Sequence, residues 1–133
     1  MSVYIPKIIR QQVALRANYC CEYCLLLEDD AFFAHQIDHI FPIKHGGKTI
    51  LENLAYACAN CNKNKGSDLA TFFLPDKKLV GLFNPREHDW LDHFYIDDVL
   101  FFDKTNIGKA TIKVLKMNDV ERIIERQLLR KKQ

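Results

Sequence analysis

Apolar residues recur at helical spacing in three segments of the chain, and each segment predicts a helix. The first segment spans residues 5–18, and the other two, residues 105–115 and 118–132, lie near the opposite end. The apolar face of the first segment consists of Ile5, Ile8, Ile9 and Val13. The apolar face of the last segment consists of Val120, Ile123, Ile124 and Leu128. The sequence therefore predicts one helix before the middle of the chain and two after it.

The middle of the chain has shorter apolar runs, which are typical of strands. Residues 33–40 are rich in apolar and aromatic side chains and end near Pro42, which predicts a first strand. Residues 54–57 predict a second strand, and residues 62–71 have the composition of a helix despite Gly66. The predicted order is therefore strand, loop, strand, helix.

A second pair of strands is expected further along the chain. Residues 95–96 and 99–102 are apolar and are expected to pair across Asp97-Asp98, although an acidic pair without glycine is a weak turn signal. No internal repeat, low-complexity segment or linker interrupts the sequence. We therefore expect a single domain of mixed helices and strands over residues 1–133.

The composition is that of an ordinary globular protein. With 48% hydrophobic and 27% charged residues in a chain of 133, it excludes a disordered, collagen-like or simple coiled-coil protein. Nineteen basic and seventeen acidic side chains give a net charge of +2, so any site for a polyanion must be local. The sequence has no secretory signal and no apolar run of ~18–20 residues, so we expect a cytoplasmic protein without a membrane span.

Four of the five cysteines form two C-x-x-C pairs. The pairs are Cys21 with Cys24 and Cys58 with Cys61. In a chain without an export signal, such pairs indicate metal binding or catalysis rather than disulfides. Zn²⁺ takes four thiolates in a tetrahedron, and a site closed by four cysteines has no open position for chemistry. The pairs therefore predict a structural zinc site.

The cysteines leave three alternatives open. Cys20 also lies within the ligand spacing that zinc permits before Cys24, although Cys21 matches the second pair better. A redox dithiol at Cys21 and Cys24 is the second alternative, but no strand precedes the pair as a βαβ unit requires. The third is four ordinary buried thiols, against which stands the low chance of two independent C-x-x-C pairs.

Several short polar motifs lie between the cysteine pairs and just after the second pair. In chain order they are Asp38-His39-Ile40-Phe41-Pro42, Gly46-Gly47, Glu52-Asn53-Leu54 and Cys61-Asn62, followed by Lys65. From Cys20 to Asp68, the chain resembles the HNH endonuclease family of the ββα-metal fold. The ordered set is far more specific than any one motif.

The resemblance implies an α+β fold with a ββα-metal core braced by a Cys₄ zinc site. An N-terminal helix and a C-terminal hairpin with helices would flank this core. The core is expected over about residues 20–71, with an extension of about residues 79–133 packed on it.

The resemblance also implies a role for each polar residue at a matching position. His39 would be the general base, and Asp38 a ligand of a catalytic divalent ion. Asn53 would fix the loop, and Asn62 would be a further ligand of that ion, standing where many relatives have histidine. Lys65 lies three residues after Asn62 on the same predicted helix face, so we expect it to contact a substrate phosphate.

The chemistry of phosphodiester cleavage agrees with these roles. A neutral imidazole with a pKa near ~6.5 can take a proton from the attacking water. Carboxylate and amide oxygens at Asp38 and Asn62 suit Mg²⁺ or Mn²⁺, which stabilises the charge that develops on the phosphate. Because neighbouring strand residues point to opposite faces, Asp38 and His39 require a twist or strand end at this point.

The sequence therefore predicts a metal-dependent HNH endonuclease that hydrolyses DNA phosphodiester bonds. The alternative is a non-catalytic, zinc-stabilised module that binds nucleic acid or a protein partner. The combination of Asp38, His39 and Asn62 favours the enzyme, because a module that only binds has no need of a base beside two oxygen ligands.

Overall fold

A computed structural model of the chain describes residues 4–132, within which it has five α-helices and six β-strands. The chain divides into two compact units, Met1–Ser67 and Asp68–Gln133. The mixture of helices with small two-stranded sheets confirms the α+β class that the sequence predicts. A single domain with the extension packed on the core stays a prediction.

The first unit contains two helices and one two-stranded sheet. Its elements are α1 (Lys7–Arg16), β1 (Gln36–His39), β2 (Leu54–Ala57) and α2 (Ala59–Lys65). The two strands are antiparallel, with Ile37 opposite Tyr56 and His39 opposite Leu54. This gives the strand, loop, strand, helix order that the sequence predicts.

The core of the first unit lies between α1 and β2. Val13 and Ala14 of α1 pack with Leu54 and Tyr56 of β2, and Ile9 covers them from one turn earlier. The predicted apolar face of this helix is therefore only partly correct, because its member Ile8 is exposed to solvent. The buried positions follow the i, i+4 spacing of Ile9 and Val13, whereas Ile8 lies to one side of that row.

The position of α2 differs from the sequence prediction of residues 62–71. The helix begins earlier because the thiol of Cys58 accepts a hydrogen bond from the N–H of Cys61 and so caps the first turn. It ends at Gly66, whose φ of +50° is unfavourable for any residue that has a side chain. Thr71 accordingly lies in a strand of the second unit rather than in this helix.

The second unit has two hairpins and three helices. Its elements are β3 (Ala70–Phe73), β4 (Lys78–Gly81), α3 (Trp90–His93), β5 (Phe94–Asp97), β6 (Leu100–Asp103), α4 (Asn106–Val114) and α5 (Val120–Lys131). The β5–β6 pairing confirms the predicted hairpin, but the turn lies at Asp98-Val99 rather than at Asp97-Asp98, because Asp97 belongs to β5 and pairs with Leu100. Asp98 turns the chain with a φ of +59°, a conformation that aspartate tolerates better than most residues.

The core of the second unit forms around Phe83. Its ring packs edge-on against Phe94 at 5.4 Å, and its backbone N–H donates to the Thr111 hydroxyl of α4 at 2.8 Å. Gly108 lets α4 approach closely, because a Cβ at this position would overlap the carbonyl of His93. Thr111 thus has a structural role in this unit, because its hydroxyl holds the backbone of Phe83.

The apolar face predicted for the last helix is present but is not part of the core. Val120, Ile124 and Leu128 on α5 are exposed. The helix is instead anchored by Arg122, which donates to the carbonyl of Leu115 at 2.8 Å, and by Arg126, whose guanidinium lies 4.6 Å from the centre of the Phe101 ring. Among the described residues, no helix has both the length and the apolar character needed to cross a membrane.

Candidate active site and metal centre

The two C-x-x-C pairs converge on one point in the first unit. The sulfur atoms of Cys21, Cys24, Cys58 and Cys61 all lie within 4.8 Å of one another, and all four residues are buried. In each pair the second cysteine donates its backbone N–H to the sulfur of the first, at 3.4 Å for Cys24 and 3.3 Å for Cys61. Four sulfurs at these separations fit a tetrahedral Zn²⁺ site.

The geometry decides between Cys20 and Cys21. Cys20 is half-buried, pairs with Leu27 in an isolated β-bridge and is not part of the sulfur cluster. Four buried sulfurs placed this closely suit one shared metal ion, which would bind them as thiolates.

His39 is the last residue of β1 and is half-buried. Its Nε2 lies 2.9 Å from the hydroxyl oxygen of Thr49, which fixes the orientation of the ring. Burial lowers the pKa of His39 below its ordinary value, Lys65 lowers it further, and Asp38 opposes the change. The ring is therefore neutral at pH 7 and able to accept a proton.

Asn53 closes the loop between the two strands. Its side-chain oxygen accepts the N–H of Phe41 at 2.9 Å, and its amide nitrogen donates to the carbonyls of Phe41 and Lys48 at 3.0 and 2.8 Å. Gly47 lies so close to Phe41 that a Cβ would overlap the Phe41 carbonyl. The loop that carries Thr49 is thus held tightly beside the strand end that carries His39.

Asp38 points into the unit, on the opposite face of β1 from His39. Its carboxylate is only 3% exposed. It accepts a hydrogen bond from the Tyr23 hydroxyl at 2.6 Å and forms an ion pair with Lys65 at 3.2 Å. Burial raises the pKa of Asp38, while Lys65 and the Tyr23 hydrogen bond act against that rise. β1 ends at His39, but Asp38 is buried on one face of the strand and His39 is half-buried on the other. The expectation that a strand end brings both side chains to one face is therefore not confirmed.

Lys65 has a different environment from the one expected of a phosphate contact. Its side chain is 2% exposed, and its ammonium donates to Asp38 and to the carbonyls of His39 and Ile40 at 3.2 to 3.3 Å. The physical reason is that the buried carboxylate of Asp38 needs a nearby positive charge. Lys65 therefore joins the end of α2 to the end of β1.

Asn62 lies one helical turn before Lys65 on α2 and is half-buried. Its backbone carbonyl accepts the N–H of Gly66 at 3.0 Å. The three-residue spacing puts Asn62 and Lys65 on neighbouring positions of one helix face, but no described hydrogen bond joins the Asn62 side chain to Asp38.

The atoms around Lys65 show which ligands this site offers to a divalent ion. Both oxygens of Asp38 and the carbonyls of His39 and Ile40 form an all-oxygen environment that already holds one positive charge. Oxygen ligands of this kind suit Mg²⁺ and Mn²⁺. The residues fit such an ion in chemical type, and an ion bound to Asp38 would have to share or displace Lys65.

Two residues of the site are not evident from sequence motifs alone. Thr49 contacts the His39 ring, and the only sequence signal for it is its position two residues after the paired glycines. Tyr23 lies between the cysteines of the first pair and contacts Asp38 from there. An aromatic residue at that position suggests packing, so its hydroxyl contact becomes visible only in the fold.

Comparison with known proteins agrees with this geometry. Residues 21–68 match the family model described as HNH endonuclease. The chain is also similar to the Septu protein PtuB of Bacillus thuringiensis, with 24% identity over 130 residues that cover 96% of this chain and 48% of the relative. The chain thus spans about half the length of that curated relative. No solved structure matches it. These matches support a nuclease-type function.

Proposed function

We propose that this chain, whose residues 21–68 form an HNH-type module, is a metal-dependent endonuclease that hydrolyses DNA phosphodiester bonds. The observation that carries the proposal is the placement of His39. Its ring is half-exposed, fixed by Thr49 and located at a strand end, and burial lowers its pKa, which favours the neutral form. A positioned neutral imidazole is what a general base requires.

His39 takes the proton of the water that attacks the phosphorus atom. When Nε2 donates its hydrogen to the Thr49 hydroxyl, the lone pair of a neutral ring is on Nδ1. Nδ1 then accepts the proton of the water, and the resulting imidazolium remains bonded to Thr49. In this tautomer the Thr49 hydroxyl holds the ring in place while Nδ1 takes the proton.

Asp38 and Asn62 would hold the divalent ion, Mg²⁺ or Mn²⁺. Such an ion, when bound, stabilises the negative charge that develops on the phosphate oxygens and on the leaving oxygen. Lys65 remains close to Asp38 and compensates its charge before the ion binds. The four cysteines would hold Zn²⁺ as a structural ion that keeps β1, β2 and α2 together.

The DNA backbone would contact the exposed lysines of the loop that carries Thr49. Lys44 and Lys48 are exposed on this loop, whereas Lys65 is committed to Asp38. Two surface cations beside the base provide a local anion site in a chain whose net charge is only +2. Binding should therefore weaken as salt concentration rises.

A cleavage assay with matched histidine variants tests this function. Supercoiled plasmid is incubated with the full chain and Mg²⁺ or Mn²⁺, using wild type, His39→Ala and His45→Ala. His45 is exposed on the neighbouring turn, so its loss should leave cleavage unchanged, whereas His39→Ala should abolish cleavage and retain zinc. Normal cleavage by His39→Ala would overturn the assignment of the base.

The engaged state of Asp38 is the observation that favours the non-catalytic alternative. A carboxylate that only neutralises Lys65 and accepts the hydrogen bond of Tyr23 would serve the fold alone. In that case, the wild-type chain would bind DNA but would not cut it in the presence of either Mg²⁺ or Mn²⁺. The same plasmid experiment, with a gel-shift measurement beside it, separates the two functions.

A further inference from the structure

Tyr23 connects the cysteine cluster to the strand that carries His39. It is 1% exposed and lies between Cys21 and Cys24, whose sulfurs belong to the cluster. Its hydroxyl donates to Asp38 at 2.6 Å, and Asp38 is the residue immediately before His39. A single side chain thus reaches from the metal centre to the candidate active site.

The turn that carries Tyr23 is anchored at several points. Cys21 and Cys24 fix its ends in the cluster, and the N–H of Glu22 donates to the carbonyl of Tyr56 on β2 at 2.8 Å. The phenol ring therefore projects from a turn that is attached both to the metal site and to the sheet. Its reach toward β1 is set by this attachment rather than by the ring alone.

The strand end is held from the other side by Lys65. Its ammonium contacts the Asp38 carboxylate and the carbonyl of His39. Tyr23 and Lys65 both bind the side chain of Asp38, and Lys65 also binds the backbone carbonyl of His39. The direction in which the His39 ring leaves the strand depends on how the backbone of Asp38 and His39 is held.

Loss of the Tyr23 hydroxyl would change this balance without removing the ring. The Asp38 carboxylate would lose one of its two described side-chain partners and keep Lys65, and a buried hydrogen bond of this kind is stronger than an exposed one. Phenylalanine would still fill the space between the cysteines. The hydroxyl is therefore dispensable for packing, but it sets the position of Asp38.

From these contacts we infer that Tyr23 is a positioning residue for the nuclease reaction, acting on His39 through Asp38. The inference rests on the proposed function of His39 as the base. It also gives the cysteine turn a second role, because the turn aims the strand end as well as holding the metal.

The chain offers a matched control for this inference. Tyr56 donates its hydroxyl to the carboxylate of Glu28 at 2.7 Å in the same unit. This is the same kind of bond as that of Tyr23 to Asp38, but Glu28 is distant in sequence from His39 and does not contact it through any described bond. Tyr56→Phe thus removes a tyrosine–carboxylate bond without touching the strand end.

The experiment compares Tyr23→Phe with Tyr56→Phe in the full chain. Zinc content, melting temperature, kcat and KM for plasmid cleavage, and the ¹⁵N ring signals of His39 are measured for both. We expect both variants to bind zinc fully and to lose a few degrees of melting temperature. Tyr23→Phe should lower kcat by about 10-fold with little change in KM, and Tyr56→Phe should leave kcat unchanged.

The ring signals separate failure of this inference from failure of the proposed function. If wild type cleaves and His39→Ala does not, equal kcat values in the two tyrosine variants would overturn the inference alone. If wild type does not cleave, the proposed function fails, and the NMR comparison decides whether Tyr23 positions the ring. In that comparison, His39 signals that move in Tyr23→Phe but not in Tyr56→Phe support the positioning role, and signals equal in both overturn it.

Discussion

The hydroxyl of Thr49 lies 2.9 Å from Nε2 of His39 and is carried by the loop that Asn53 closes. Removing the hydroxyl should allow the ring to turn and to change tautomer. We expect Thr49→Val, which keeps the side-chain shape, to lower kcat for plasmid cleavage by about 10-fold. Thr49→Ser keeps the hydroxyl and should retain most of the activity. Equal losses in the two variants would show that the shape of the loop, rather than the hydrogen bond, is what matters.

The cysteine cluster gives a prediction about metal loading. Cys58→Ser should lose zinc, and the first unit should unfold with it, because metal binding and folding are coupled in such sites. Cys20→Ser is the matched control, since Cys20 lies outside the cluster. Zinc content by atomic absorption and helicity by circular dichroism should fall only in Cys58→Ser. Zinc loss in Cys20→Ser instead would reverse the ligand assignment.

The buried pair of Asp38 and Lys65 gives a prediction about stability. Lys65→Met should lower the free energy of unfolding by about 3–5 kcal/mol, because it leaves a buried carboxylate without its cation. Lys63→Met, two residues earlier and exposed, should have little effect. Urea unfolding of both variants measures the difference. A double variant with Asp38→Asn should recover part of the loss, and no recovery would mean that Lys65 acts mainly through the two carbonyls.

The second unit gives a prediction about pH. Burial lowers the pKa of His93 and nearby His88 adds to this effect, whereas Asp92 and Asp89 oppose it. The folded unit therefore binds a proton less readily than the unfolded chain, whose histidine pKa is near ~6.5. The contribution of His93 to stability is therefore fully present above this value, and it is lost as the pH falls toward the lower pKa of the folded unit.

Urea unfolding at several pH values tests this linkage. Trp90 is the only tryptophan and lies in the second unit, so its fluorescence reports on that unit. His93→Gln should flatten the decline in stability between pH 7 and pH 5, and His45→Gln should not. An unchanged slope in His93→Gln would assign the pH dependence to another group.

Short-range patterns predicted much of the first unit. The apolar run between the Asn53 turn and the second cysteine pair predicts a strand at residues 54–57, and β2 has these bounds. The sequence does not predict the start of α2, because a thiol cap is not among the usual signals for a helix start. The Cys58 sulfur caps α2 through the N–H of Cys61, a bond that composition does not reveal.

The contacts of the candidate site depend on residues far apart in sequence. The helical spacing from Asn62 predicts that Lys65 contacts a phosphate, but spacing along one helix does not show which residues lie across from it. Its partner Asp38 comes from β1, and Tyr23 comes from the first cysteine turn. Such bonds become visible only when the two strands and α2 are packed together.

The close approach of Gly47 to the Phe41 carbonyl restricts the route by which this protein can diverge. Even one added methyl group at position 47 would push the loop that carries Thr49 away from the strand end that carries His39. The cysteine cluster and the packing of α1 on β2 involve other residues, so the damage would stay local to this loop.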